Sequence, residues 1–385
     1  MKYMRIFFFV SIVLSIHFLV NFYIYKRGVQ GLESMPHLIP WFRGLMLFLV
    51  VSYPAARFLE KIWYSPFSSF IHWAGAFWFA GMLYFVLLLF AVDIIRWSNM
   101  LFHFLPNKLS GNYAQIKLIT TYTLTAIVVL TVIAGHINAW TPKIVKQNIK
   151  INKPGGDRKS VKIVAASDIH LGTIIGPRKT NKLVNAINGL HPDIILLAGD
   201  VVDEDLKPVI DQNLGKDLLK LKAPLGVYAS TGNHEYIGGA EDAVAYLENH
   251  GIRVLRDTSL LIDNSFYLVG REDKQRTAFT QKPRKTVHKL IASLDKQKPI
   301  VMLDHQPYNL HVAQKAGVDF QISGHTHHGQ LWPFGYITQR IFEVSRGYKQ
   351  KGDSHFYVST GFGTWGPPVR VGNRPEILEF TLEFE

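Results

Sequence analysis

The sequence predicts an α/β domain carried behind an all-α transmembrane domain of about four helices. The first 140 positions are crowded with apolar and aromatic residues, in stretches long enough to cross a ~30 Å hydrocarbon core. From residue 161 onward, short apolar runs alternate with Gly, Pro, Asp and Asn, the punctuation of strands and helices in a water-facing α/β domain. The organisation expected is a helical membrane domain over 1–140, a linker with a leading strand over 141–160, and an α/β domain over 161–385.

Four apolar stretches, at about 6–25, 38–59, 70–95 and 116–137, carry the membrane reading. The first has no small-residue cleavage site before Lys26-Arg27, so it reads as an uncleaved anchor rather than a removed signal peptide. The formal charge is +13, and residues 1–150 hold 13 Lys and Arg against 3 acidic residues. Basic residues beside a bilayer set topology and attract anionic headgroups, which accounts for the charge without a nucleic acid. With an even number of spans, Lys2, Arg5, Arg57, Lys61, Lys143, Lys146, Lys150 and Lys153 share a side against Lys26, Arg27, Arg96, Lys108 and Lys117. That bias favours a cytoplasmic α/β domain, and a miscount of one helix would make it extracytoplasmic. Asp93 and Arg96, three apart near the end of the third span, read as a snorkelling interfacial pair. His72, Trp73, Trp78 and Trp97 read as interfacial aromatic belts.

After a polar linker at 153–160, the run 161–166 reads as a buried strand ending at Asp168 and His170. A helix is expected at 178–189, followed by a strand at 193–198 that ends at Asp200. The pattern then repeats. Residues 226–231 run into Gly232-Asn233-His234-Glu235, 300–303 into Asp304-His305, and 320–323 into Gly324-His325-Thr326-His327. Each strand delivers a potential ligand at its carboxyl end, where α/β proteins gather their chemistry. Alternate residues of an extended segment point the same way, so Asp168 and His170 would reach one ion. Carboxylate, amide oxygen and imidazole without thiolate suit Mn, Fe or Zn, with Mn favoured. The absence of cysteine excludes disulfides and thiolate chemistry.

The order of these motifs is more specific than any one of them. D-x-H, G-D-x-x-D, G-N-H-E, a strand-end His and G-H-x-H in sequence resemble the calcineurin-like metallophosphoesterase superfamily, over nearly all of 160–385. Gly329-Gln330, the run 359–363, and Arg370 through Pro375-Glu376-Ile377 are similar to its YkuE-like membrane-associated bacterial branch. The resemblance implies an αββα two-sheet sandwich and a bacterial inner-membrane location. It also implies two divalent ions and hydrolysis of a phosphoester, with Asp168, His170 and His327 on the first ion and Asp200 bridging both. Asn233, His305 and His325 would hold the second. His234 would face the substrate as proton donor or oxyanion stabiliser, and Asp203 would orient it. His328 departs from the branch, which has Gly there; it either adds a phosphate contact or faces solvent.

Other residues admit plainer readings. His191, His250, His288, His311 and His355 are expected to be structural. Glu235 suits catalysis or helix initiation equally. The basic stretch 271–285 is either a solvated loop or a grip for an anionic group. Trp332, Phe334, Trp365 and Pro367-Pro368 are either core or an apolar rim for acyl chains. The substrate expected is a membrane lipid or lipid-linked precursor, because tethering raises effective concentration toward partners in the bilayer. UDP-2,3-diacylglucosamine is one candidate by resemblance. A non-catalytic sensor or scaffold and a phosphodiesterase for soluble nucleotides are the alternatives. Nucleic acid is disfavoured by the near-balanced charge of 151–385.

Overall fold

The computed structural model describes residues 2–104 and 112–385. Lys108 lies outside them, as do the side chains of Lys2 and Arg5. The chain divides into two compact units, Met1–Gly135 and His136–Glu385.

The first unit is built from helices α1 (Lys2–Gly31), α2 (Ile39–Ile62), α3 (Pro66–Phe102) and α4 (Tyr113–Ala139), the last four residues of α4 belonging to the second unit. Among the described residues, three segments are long and apolar enough to cross a membrane: Pro36–Ile62, Pro66–Phe102 and Tyr113–Ala139. Large apolar side chains such as Phe58, Phe70 and Leu130 point outward, as helices solvated by lipid require. α3 starts where Ser65 caps it, in a reciprocal box with Ser68, and Pro66 supplies the pre-set first turn.

Two sequence expectations fail in this unit for one reason, that helix–helix contacts outrank local spacing. Asp93 is buried and takes Arg27 Nη2 at 2.6 Å and the Tyr23 hydroxyl at 2.7 Å, both from α1, while Arg96 stands at 3.5 Å. His72 and Trp78 do not face outward: His72 Nδ1 meets buried Glu60 at 2.8 Å, and Trp78 Nε1 donates to Asn21 Oδ1 at 2.8 Å. Polar groups inside a helix bundle find one another because lipid offers no partner.

The second unit carries twelve strands: β1 (Lys143–Ile151), β2 (Ser160–Ala166), β3 (Ile194–Ala198), β4 (Val227–Ser230), β5 (Arg253–Leu255), β6 (Thr258–Ile262), β7 (Phe266–Gly270), β8 (Ile300–Leu303), β9 (Phe320–Ser323), β10 (Gly347–Lys351), β11 (Ser354–Val358) and β12 (Glu376–Phe384). They form two six-stranded sheets, ordered β1-β12-β2-β3-β4-β5 and β10-β11-β9-β8-β7-β6. Strand periodicity decides which side chains meet. In β2 and β3, Ile163, Ala165, Ile194 and Leu196 face inward onto Val301, Leu303, Phe320 and Ile322 of the other sheet. Their neighbours Val164, Ala166, Ile195 and Leu197 face outward onto helix α5 (Pro177–Asn188), through Leu183, Val184 and Ile187. On the far side, Ile300 and Met302 pack under Leu290, Leu310 and Ala313. The product is helix, sheet, sheet, helix. β2, β3 and β4 run parallel, as do β8 and β9, so all five deliver their carboxyl ends to one edge.

Candidate metal centre

Backbone hydrogen bonds zip the loops at that edge together. Asp168 N donates to Gly199 O, His170 N to Asp200 O and Leu171 N to Val201 O, all within 3.1 Å. Asp168, His170, Asp200, His325 and His327 all take positive φ, between 43° and 70°. Non-glycine residues in this region carry strain, which persists only where surrounding bonds over-determine it. Asp168 and His170 therefore converge through two left-handed turns and not through the extended alternation expected from sequence. Gly232 and Gly324 serve by lacking a side chain: a Cβ on Gly232 would collide with the Asp200 carboxylate, and one on Gly324 with that of Asp168.

All seven sequence-predicted ligand positions come together. In one group, His170 Nε2 and His327 Nε2 stand 3.1 Å apart, and Asp168 Oδ1 lies 3.4 Å from His327 Nε2. In the other, Asp200 Oδ2 lies 3.0 Å from His305 Nε2, with His325 alongside, and Asn233 Oδ1 is 2.8 Å from His325 Nδ1. Asp200 Oδ2 also lies 4.0 Å from His170 Nε2, so one carboxylate oxygen faces both groups. Beside them, His234 Nδ1 contacts Asp203 Oδ1 at 2.9 Å, and its ring sits 4.5 Å from that of His170.

The donor set fits a pair of divalent ions. His305 Nδ1 faces the Ala198 carbonyl at 2.8 Å, which can only accept, so Nδ1 carries a proton and Nε2 is the ring atom left to face Asp200. That Nε2 is buried without a hydrogen-bond partner and confronts an Asp200 oxygen. A proton or a cation must lie between two such atoms. Likewise, a proton or a cation must lie between the two Nε2 atoms of His170 and His327. Burial and then the charge of His305 pull His325 down to about 3. Burial, His170 and Arg370 hold His327 well below its usual value. Both imidazoles thus stay in the neutral, metal-binding form. Burial alone would raise Asp200, but His305 and His234 hold it well below the carboxylate range, and it stays ionised.

Other side chains take roles that the sequence left open. Glu235 serves helix initiation and ties two loops besides. Its carboxylate accepts from Gly232 N at 2.7 Å, Val202 N at 3.0 Å and Asp200 N at 3.1 Å, tying the start of α6 (Asn233–Gly238) to the Asp200 loop. Burial and the charge of Asp200 push it up to about 7. His328 neither faces solvent nor points at a phosphate site; it is buried with Nδ1 on Ser345 Oγ at 2.9 Å. The basic stretch is pinned internally. Arg271 and Arg284 each hold Asp304 at 2.8 Å, and Arg276 holds Asp257 at 3.1 Å. Asp304 is thereby committed away from the metal groups. Arg370 is the functional neighbour that the sequence did not place: fully buried, its Nη2 stands 3.1 Å from His327 Nδ1.

A calcineurin-like phosphoesterase signature matches residues 161–329. An uncharacterized metallophosphoesterase of Aquifex aeolicus is 32% identical, over 65% of this chain and 95% of its own length. A transmembrane protein with metallophosphoesterase domain from Danio rerio is 27% identical over 97% of this chain and 89% of its own. A metallophosphoesterase of Campylobacter jejuni is 27% identical over 97% of both chains. This protein belongs to the calcineurin-like phosphoesterase family. It is a membrane-associated phosphoester hydrolase, with a His/Asp cluster suited to two divalent ions.

Proposed function

We propose that the protein is a membrane-tethered hydrolase that cleaves a phosphoester or pyrophosphate bond of a lipid or lipid-linked substrate. One observation carries the reading. Seven donor residues gather into two groups that share Asp200, with His234 beside them, in a chain that also bears apolar membrane-length helices. Asp168, His170 and His327 would hold one ion, Asn233, His305 and His325 the other, and Asp200 both; manganese suits this oxygen and nitrogen set. When bound, such a pair activates water and offsets charge on phosphoryl oxygens.

The remaining work belongs to the chain. Asp203 fixes the His234 ring through Nδ1, which leaves Nε2 to face the substrate. Burial opposes charge on His234, but Asp200 and the Asp203 bond raise it to about 9, so it holds a proton at neutral pH. That proton is available to the departing oxygen. Attachment to the bilayer raises the local concentration of lipid-borne substrates, and UDP-2,3-diacylglucosamine is one candidate of that class.

Turnover of bis-p-nitrophenyl phosphate with added Mn, by the wild type and by Asp200→Asn, tests the chemistry. Loss in the variant supports a metal hydrolase, and an equally low rate in both supports a scaffold. A panel of lipid phosphates and nucleotide-lipids tests the substrate class. Activity confined to water-soluble nucleotides would overturn the lipid assignment.

A further inference from the structure

From Trp332 to Ile341, the segment after the last metal motif does not pack into the core. Helix α7 (Phe334–Ile341) buries none of its residues. Trp332, Phe334, Ile337 and Ile341 are exposed to 50%, 40%, 53% and 56%, and Trp365 to 53%. Positions 334, 337 and 341 recur at helical spacing, so three of these side chains form one stripe. Water-facing aromatics and isoleucines gathered in this way mark an interaction surface.

This surface belongs to the site. Gln330, three residues past His327, clamps the Trp365 loop in both directions: Nε2 donates to Trp365 O at 2.9 Å, and Oε1 accepts from Trp365 N at 2.9 Å. Trp332 N donates to Val371 O at 2.8 Å, so the segment leading into α7 and the Trp365 loop are stitched side by side. The indole of Trp365 lies 5.9 Å from the His234 ring, nearly perpendicular to it. Whatever covers the rim therefore also stands at the mouth of the candidate metal centre.

Its occupant follows from the other end of the same loop. His136, in the last turn of α4, meets the Pro368 carbonyl at 2.7 Å, and Asn138 Nδ2 donates to Arg370 O at 2.9 Å and Asn373 O at 2.7 Å. α4 is one of the helices long and apolar enough to cross a membrane, so the loop is bound to the last turn of a candidate span. The charges agree. Arg178 lies over Trp140 at 5.9 Å, and with Lys182 and His136 it lines a cleft of about 390 Å³ at this turn; Arg340 flanks the stripe on α7. Trp at the boundary with Arg and Lys reaching toward headgroups is how a surface settles into an anionic bilayer.

We infer that Trp332, Phe334, Ile337, Ile341 and Trp365 form an interfacial rim that sinks into the lipid surface, so that the metal centre opens directly onto the bilayer. The docking does not require hydrolysis. A catalytically silent protein whose rim meets lipid would keep this inference and sink the hydrolytic one, and the converse result would do the reverse.

The chain contains no cysteine, so single replacements label cleanly. Ile337→Cys, Ile341→Cys and Trp365→Cys in the full-length protein would each carry a bimane fluorophore, in phosphatidylcholine–phosphatidylglycerol nanodiscs. Leu130→Cys within α4 serves as the lipid reference. Leu219→Cys, exposed ahead of β4 and so at the opposite edge of the sheet, serves as the water reference. The expected result is quenching of all three rim labels by nitroxide-bearing lipid as at Leu130, with shielding from iodide. Ile337→Ser with Ile341→Ser should lift the rim from the lipid, read as loss of Trp365→Cys quenching on the order of tenfold. Iodide reaching the rim labels as freely as Leu219 would overturn the inference. So would shielding from both quenchers together with cross-linking between copies, since a second copy would then be the occupant.

Discussion

Arg370 Nη2 stands 3.1 Å from Nδ1 of His327, and its guanidinium donates to backbone and amide oxygens: Gly363 O, Gly361 O and Asn373 Oδ1. A fully buried arginine held without a direct carboxylate contact is unusual, and burial pulls it down to about 10 while Asp168 and Glu376 support its charge. Its fork fixes the ring of a candidate ligand and the loop of Trp365 together. Arg370→Met should lower metal affinity by roughly 10- to 100-fold, because the guanidinium braces the Gly361–Gly363 backbone against which the His327 ring rests. Arg370→Lys should not restore it, because an ammonium cannot reproduce the planar fork. Metal content after dialysis, read beside circular dichroism to confirm folding, checks both.

Asp203→Asn addresses the proton. If His234 protonates the leaving oxygen, the variant should lose on the order of 10²–10⁴ in kcat with an alkyl leaving group. With p-nitrophenolate, which leaves unaided, the loss should be small. Metal content measured alongside separates loss of the proton from loss of metal, because Asp203 Oδ1 also stands 3.5 Å from Nδ1 of His170. An equal loss on both substrates would remove the acid role from His234.

What the sequence made legible was the part in which chemistry is written locally. Asp168, Asp200, Asn233, His305 and His325 each follow an apolar run, and each stands at the end of the strand that the run becomes. What stayed hidden depends on contacts distant in sequence. Glu235 is the helix-start acid its position suggests, but only the fold brings Asp200 N and Val202 N to it as well, and the buried His328 was decided by Ser345. Asp93 was assigned to Arg96 by spacing, but its short contact comes from Arg27 on another helix. Burial sorted the aromatics: Trp78 turned inward, while Trp332 and Trp365 did not.

Gly324→Ala isolates sterics from conformation, because Gly324 does not occupy the left-handed region. The added methyl would press on the Asp168 carboxylate and would stand 2.6 Å from Ser167 Oγ. Neither neighbour is the free end of a flexible chain. A displacement of about 1 Å at a ligand costs on the order of 10²-fold in rate. The variant should fold, bind less metal and turn over bis-p-nitrophenyl phosphate about a hundredfold more slowly. Normal metal content and rate would show that the Asp168 loop yields at little cost.

Lys179 gives a prediction in pH. Its ammonium is buried in α5, donates to Ala139 O at 2.9 Å and lies over the rings of Trp140 and Phe362 at 5.7 and 5.5 Å. Burial first, then Arg370 and Lys182, lower it from 10.5 to about 7. The unfolded chain therefore binds more protons than the folded one between about pH 7 and 10.5, and stability from this group rises with pH across that window. Below pH 7 both states are charged and the full penalty stands, of order 3–5 kcal/mol. Lys179→Met removes the titrating group and leaves one carbonyl unpaired, a cost independent of pH and of about 1–3 kcal/mol. The melting temperature of the full chain in nanodiscs should thus favour the variant near pH 6.5, with the wild type gaining steadily on it toward pH 10. Parallel melting curves for the two proteins across that range would show that Lys179 keeps an ordinary affinity for its proton in the fold.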